Sequence, residues 1–146
     1  MNTLTFQAAR ENDWTQIAQL LRDSDLPLDG AEIHIGEFLL AYDEQTLVGC
    51  AALEHYGNSG LLRSVATDKR FRGLGIGQAL VRRVLDIARS ERIETVVLLT
   101  TTADKFFPRF GFNVIRREEV PEAMKASAEF QGACPDSAIT MRLSLT

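Results

Sequence analysis

Apolar residues along this chain alternate with polar ones in some stretches and recur at helical spacing in others, and each change of period marks an element. Leu4 to Ala8 alternates and predicts a first strand. Trp14, Ile17, Ala18, Leu20 and Leu21 follow at helical spacing behind Asn12 and Asp13, two residue types that favour a helix N-cap. Asp25-Leu26-Pro27 breaks that helix, and a short second helix is expected from Asp29 to Gly36. Phe38 to Tyr42 and Thr46 to Leu53 predict a hairpin around Asp43-Glu44-Gln45. Leu61 to Thr67 is a further strand, entered through Tyr56 to Gly60. A basic, glycine-spaced loop then leads into a helix from Gln78 to Ser90, with Leu80, Val84 and Ile87 on one face. Val96 to Thr101 is almost continuously apolar, as in a strand buried on both faces. Ala103 to Phe110 reads as a short helix stopped by Gly111. Phe112 to Ile115 and Ala138 to Leu145 supply the last strands, with helix expected between them over Glu122 to Phe130. The order β-α-α-β-β-β-α-β-α-β-(α)-β is a mixed α+β class.

Composition narrows this picture. With 146 residues, 45% hydrophobic and 25% charged, the chain is expected to form one globular domain over residues 1–146. Sixteen Lys and Arg against twenty Asp and Glu give a net charge of −4, which argues against a nucleic-acid partner. No apolar run approaches the ~18 residues of a membrane span, and no basic-then-apolar leader stands at the N-terminus. Cys50 and Cys134 form neither a CxxC pair nor a metal-finger spacing. A reduced, cytoplasmic protein without a metal is the expectation.

The chemistry concentrates where the strand Val65-Ala66-Thr67 ends. Asp68-Lys69-Arg70-Phe71-Arg72-Gly73-Leu74-Gly75-Ile76-Gly77-Gln78 follows, and an amphipathic helix begins at once. Alternate glycines permit positive φ and close backbone approach, so successive N–H groups can line one concavity. The helix N-terminus aims partial positive charge at the same place. Lys69, Arg70 and Arg72 add formal charge, and a phosphate or pyrophosphate cradle is expected. A Walker loop is excluded, because Gln78 stands where Lys-Ser/Thr is required after Gly77. A nicotinamide-dinucleotide fingerprint fits poorly, because Gly73, Gly75 and Gly77 are evenly spaced rather than Gly-x-Gly-x-x-Gly. A ligand-free glycine turn is the remaining alternative.

Arg72-Gly73-Leu74-Gly75-Ile76-Gly77 resembles the Arg/Gln-x-x-Gly-x-Gly/Ala signature of the Gcn5-related N-acetyltransferases. Thr101-Thr102-Ala103 with Phe106-Phe107-Pro108-Arg109-Phe110-Gly111-Phe112 is similar to that family's second landmark, a strand, short helix and aromatic-Gly-Phe turn. The resemblance covers nearly the whole chain, since the element order also matches. More narrowly, Gly60-Leu61-Leu62-Arg63-Ser64-Val65 and Phe130 to Cys134-Pro135, Ser137-Ala138 and Met141 resemble the arsenic-resistance N-acetyltransferases. Those in turn are similar to the acetyltransferase domain of N-acetylglutamate synthase.

The resemblance implies an acyl-CoA N-acyltransferase fold, a mostly antiparallel sheet splayed at a bulge and flanked by helices, with acetyl-CoA as co-substrate. It implies that Val65, Ala66 and Thr67 meet the pantetheine with backbone groups, the Val65 N–H binding the thioester oxygen as it becomes an oxyanion. Arg70, Phe71, Arg72, Gly73, Leu74, Gly75, Ile76, Gly77 and Gln78 would hold the pyrophosphate. Thr101, Thr102, Phe106 and Phe107 would line the pantetheine. A homodimer through Ala138 to Leu145 is a further implication.

The implied reaction is direct acyl transfer to the amine of a small molecule, an amino acid or an arsenical analogue among them. The chain departs from the family pattern at two places. Phe107 stands where many members carry a tyrosine acid, and Leu61 where some carry a glutamate base. Glu54, His55, Ser64, Glu37, His34 and an ordered water remain as proton carriers. Glu54 reads otherwise as an exposed strand charge, and His55 as a strand-end cap. Cys134 reads as packing, since no base can be assigned beside it. Arg63, an arginine among apolar residues on a central strand, either binds an acceptor carboxylate or pairs with an internal acid such as Glu54. A CoA-binding sensor without turnover, a peptide N-acetyltransferase and a nicotinamide-dependent oxidoreductase are the competing functions.

Overall fold

The computed structural model describes residues 4–146. Its strands are β1 (Leu4–Ala8), β2 (Phe38–Asp43), β3 (Thr46–Tyr56), β4 (Ser59–Thr67), β5 (Thr95–Thr100), β6 (Asn113–Ile115) and β7 (Ile139–Ser144). Its α-helices are α1 (Trp14–Asp23) and α2 (Ile76–Ser90). The strands form one sheet in the order β1-β2-β3-β4-β5-β7-β6. Neighbours are antiparallel except β4 and β5. The mixed α+β class and the mostly antiparallel sheet are therefore as expected.

Helix α2 covers one face of the sheet. Its Ile76, Leu80, Val81, Val84, Leu85 and Ala88 pack with Val48, Leu62, Val96, Leu98, Phe107 and Phe112. Helix α1 covers part of the other face, where Ile17, Leu20 and Leu21 meet Phe38, Leu40, Cys50, Ala52 and Ala66. A smaller cluster on that side joins Leu61 and Val97 to Val120 and Met124.

Several local expectations are corrected. Asp13 stands at the N-cap of α1 but makes no side-chain capping bond there; with Asn12 it lies in a 3₁₀ turn, Glu11–Asp13, and its carboxylate accepts the Arg10 N–H at 2.7 Å. The second helix is a kinked 3₁₀ stretch, Glu32–Glu37. Strand β3 runs on to Tyr56, and Gly57 and Asn58 make a two-residue turn into β4, with Tyr56 opposite Ser59. Ile87 lies outside the buried stripe of α2 and is 43% exposed. The expected helix over 103–110 is a 3₁₀ turn, Phe107–Phe110, because Pro108 offers no N–H to an α-helical bond; Gly111 does end it, at φ 103°. The expected helix over 122–130 is two 3₁₀ turns, Glu122–Ala126 and Ala128–Phe130. Ser127 divides them, being extended itself while its hydroxyl accepts the Glu129 N–H at 3.2 Å. Strand β7 is paired on both sides, by β5 and β6, and β6 is the sheet edge.

The central feature is how β4 leaves β5. Parallel pairing holds only at Ser59 with Thr95, Gly60 with Val96 and Leu61 with Val97. On its other side β4 pairs with β3 at Ala52–Arg63 and Cys50–Ala66, so Ser64 and Val65 together oppose the single residue Ala51. That is a β-bulge, and Ser64 absorbs it at φ 58°. The Cys50 thiol donates to the Ser64 carbonyl at 3.2 Å, occupying an acceptor at the bulge. Arg63 and Leu61 share one face, whereas Val65, past the bulge, packs on the α2 side.

Candidate active site

The splay between β4 and β5 opens into a cleft of about 1090 Å³. One wall is β4 from Leu62 to Thr67, and the opposite wall is Leu98 to Ala103 with Phe106 and Phe107. At one end lie Lys69, Phe71, Arg72, Gly73, Gly75, Ile76, Gly77 and Gln78. Pro27, Asp29, Glu129 and Cys134 also line it. The volume exceeds what one compact ligand needs, since small-molecule sites fill about 300–1,000 Å³.

The glycine end gathers backbone amides and a guanidinium that could hold an anion. Gly73 and Gly75 adopt φ 81° and 82°, and at neither would a Cβ meet anything within 4 Å. The first helical bond of α2 runs from the Ala79 N–H to the Gly75 carbonyl, 3.0 Å. The N–H groups of Ile76, Gly77 and Gln78 therefore have no acceptor within the helix. Arg72 lies across the end of β4, its Nε donating to the Thr67 carbonyl at 3.4 Å. Arg70 and Leu74 do not line this cleft. Arg70 is exposed and held by Asp68, with Nη2 to Oδ2 at 2.9 Å, and that hydrogen bond holds the Asp68 carboxyl below its usual range.

The expected proton carriers are scattered. His55 bonds Glu37 and Glu91, the latter at 3.2 Å, and stands outside the cleft. Burial pulls its pKa down, but the two carboxylates outweigh that and raise it. His34 bonds Glu37 at 2.7 Å, also outside the cleft. Glu54 is not the exposed strand charge of the alternative reading; it is 1% exposed. Burial would raise its carboxyl, yet hydrogen bonds from Arg63, Tyr56 and Ser127, with His34 nearby, hold it below its usual range. Ser64 does line the cleft, its hydroxyl accepting from Arg63 Nε at 3.1 Å.

Arg63 takes the internal pairing. Its side chain is fully buried, with Nη1 donating to Glu54 Oε2 at 2.8 Å and Nη2 to the Pro27 carbonyl at 3.3 Å. Leu61 and Phe107 are buried and apolar, so neither supplies an acid or base. Phe107 packs edge-on against Phe106 and Phe112. Burial, then the charge of Glu129, pushes the Cys134 thiol up to about 12, which removes it as a nucleophile near neutrality.

Glu129 is the residue sequence reasoning misses. It is 4% exposed, lines the cleft, and holds Oε2 3.6 Å from Arg63 Nε. Nothing in its periodicity singles it out, and the motif from Phe130 to Met141 begins one residue after it.

Residues 5–112 match the Acetyltransferase (GNAT) family. An amino-acid acetyltransferase of Neisseria meningitidis is 28% identical over 103 residues, 69% of this chain and 24% of that protein. The amino-acid acetyltransferase of Mycobacterium tuberculosis is 41% identical over 70 residues, 47% of this chain and 40% of that protein. The chain thus spans about a quarter of the length of the Neisseria relative. Among solved structures, N-acetylglutamate synthase from Neisseria gonorrhoeae, complexed with coenzyme A and N-acetyl-glutamate, superposes with a TM-score of 0.85 at 24% identity, covering all of this chain and 36% of that one. A Mycobacterium tuberculosis protein in complex with CoA superposes at 0.80 with 26% identity, covering 97% of this chain and 99% of the other. On the family match over most of its length, joined to the splayed sheet and the glycine loop at the start of α2, the chain belongs to the acetyltransferase (GNAT) family.

Proposed function

We propose that this protein transfers the acetyl group of acetyl-CoA to the amine of a small molecule, with an amino acid or an amino-acid-like compound as acceptor. The observation that carries the reading is the continuous cleft from the α2 N-terminus to the bulge at Ser64–Val65. Amides of Ile76, Gly77 and Gln78, with Arg72, suit a pyrophosphate; the parted edges of β4 and β5 suit an amide-bearing pantetheine arm, paired as a strand would be. The Val65 N–H is assigned to the thioester oxygen, a contact that strengthens as charge develops there. Thr101, Thr102, Phe106 and Phe107 would flank the arm. The names of the bacterial amino-acid acetyltransferases support the acceptor class.

Acetyl-CoA should raise the melting temperature, by an amount corresponding to ~2.7 kcal/mol at a hundredfold excess over Kd. Thiol release in the presence of glutamate, other amino acids or arsenical amino acids then identifies the acceptor. Stabilisation by NADH and not by CoA overturns the reading. Apolar residues at Leu61 and Phe107 favour a second reading, a CoA sensor without turnover, which predicts the same thermal shift and no thiol release.

Arg72→Ala is expected to weaken CoA binding about tenfold at low salt, the ~1.5 kcal/mol of a charge-assisted hydrogen bond. The deficit should shrink as ionic strength rises, because added salt screens that contact in the wild type. Titration calorimetry at two salt concentrations checks it. Equal affinities at low salt would return Arg72 to a solvated loop charge.

A further inference from the structure

Among the described residues, two buried side-chain oxygens lack a hydrogen-bond partner, Asp43 Oδ1 and Glu129 Oε1. Of these residues, Glu129 is the one that lines the cleft. Its other oxygen lies 3.6 Å from Arg63 Nε, and Nε in turn donates to the Ser64 hydroxyl at 3.1 Å. The carboxylate therefore sits beside the bulge, with one oxygen 3.6 Å from Arg63 Nε and the other buried without a hydrogen bond of its own. The fold fixes it there: Ser127 caps the short turn that carries Glu129, and the Cys134 N–H closes the loop on the Glu129 carbonyl at 3.4 Å.

We infer that Glu129 is the general base of the transfer, its unpartnered oxygen accepting the proton of the acceptor's ammonium group beside Ser64 and Val65. The assignment rests on the acetyltransferase reading above. The ammonium gives one proton to Oε1 and becomes a neutral amine. The amine lone pair attacks the thioester carbon, forming the C–N bond. The C–S bond then breaks, its electron pair leaving with sulfur. The second N–H proton goes to that sulfur, giving the amide and CoA thiol, and Glu129 returns its proton to water. Acetyl-CoA and an ammonium thus become an amide, a thiol and one released proton.

The charges around Glu129 suit this task. Arg63 faces it from β4, Glu54 stands behind Arg63 on β3, and Cys134 lies in its own loop. Burial raises its carboxyl most; Arg63 opposes this, Glu54 adds to it, and the neighbouring Cys134 thiol opposes it, with the balance at about 7. A base of that strength is ionised often enough near neutrality and still holds a proton usefully. Glu54, by contrast, does not line the cleft and has its oxygens committed to Arg63 and Tyr56.

The test compares wild type, Glu129→Gln and Glu129→Asp for CoA binding, thermal stability and acceptor kinetics against pH. Wild-type kcat/KM for the acceptor should rise through pH 7 as Glu129 ionises. Glu129→Gln should bind CoA with unchanged affinity, lose about 100-fold or more in kcat above pH 7 and lose that limb, within the 10²–10⁴-fold that proton transfer supplies. It should also melt higher than wild type at pH 8.5 and alike at pH 5. The folded carboxyl binds its proton more tightly than the unfolded one, so wild type loses stability as pH rises through 7 and the amide does not. Glu129→Asp keeps the charge, and hence the pairing with Arg63, if the amide variant does not fold. It should keep the limb while kcat falls about tenfold, from the shorter reach. A Gln variant with normal rate, or one that is slow with its limb intact, overturns the assignment, as does an Asp variant of unchanged kcat. A wild type that binds CoA but releases no thiol with any acceptor overturns the acetyltransferase reading, and this assignment with it.

Discussion

Arg63→Ala is expected to cost about 3–5 kcal/mol of stability at pH 7 and above, because it strips a buried ion pair of one partner. Glu54 and Glu129 both stay inside, at 1% and 4% exposure, with no cation between them. For a chain of this size that is a fall in melting temperature of roughly 10 °C. The loss has a definite pH dependence. In the wild type Glu54 titrates below its unfolded value, so its contribution is present above the unfolded pKa and fades as pH falls through the folded one. In the variant, Arg63 no longer opposes burial: Tyr56, Ser127 and His34 still hold Glu54, while Glu129 titrates further above its unfolded value, so stability is lost as pH rises through it. The gap between wild type and variant should therefore be wide at pH 8 and narrow toward pH 4 in urea denaturation. Adding Glu54→Gln should recover part of it at pH 8. A gap independent of pH, or no gap, would mean that the guanidinium is not what holds these carboxyls.

Arg63 also shows where sequence reasoning stops. That it needs an anion is legible, since a charged side chain among Leu61, Leu62 and Val65 is untenable alone. Which anion depends on register. The two-residue turn at Gly57-Asn58 sets Ala52 opposite Arg63 and Glu54 opposite Leu61, so Arg63 and Glu54 are diagonal neighbours on one face. A longer loop over Tyr56 to Gly60 leaves that pairing open. The strands themselves are legible as alternating or continuously apolar runs, and the glycine loop because Gly73 and Gly75 hold a positive φ that other residues adopt only under strain. The turns over 122–130 are not, because Glu122, Met124, Ala126 and Phe130 suit a helix by composition while Ser127 interrupts it through one hydrogen bond. Glu129 is hidden for the same reason: its burial depends on that interruption and on the Asp25–Gly30 loop closing against it, where a Cβ on Gly30 would lie 2.8 Å from that of Ala128. No local pattern encodes a contact made between such distant segments.

Gly75→Val should leave the protein folded and abolish the rise in melting temperature that CoA brings. At φ 82° and ψ 11° this residue occupies the left-handed region just before α2, where a β-branched side chain is strained by about 1–2 kcal/mol. The surroundings add nothing to that cost, since a Cβ there meets no atom within 4 Å. The cost falls on the ligand. Relieving the strain turns the backbone that aims the amides of Ile76, Gly77 and Gln78, and the valine methyl groups occupy the space through which a pyrophosphate approaches them. Losing two such contacts should weaken CoA about 100-fold, or ~2.7 kcal/mol. Gly111→Val supplies the contrast. Its φ is 103°, and a Cβ would lie 2.9 Å from Leu143 Cδ1, a side-chain end that must turn aside, so that variant should lose stability while keeping the ligand. Denaturation with and without CoA separates the two: a small stability loss with little response to CoA for Gly75→Val, and a stability loss with the response intact for Gly111→Val. If Gly75→Val binds CoA with the wild-type Kd, the glycines serve only the turn into α2, and the pyrophosphate must be held elsewhere along the cleft.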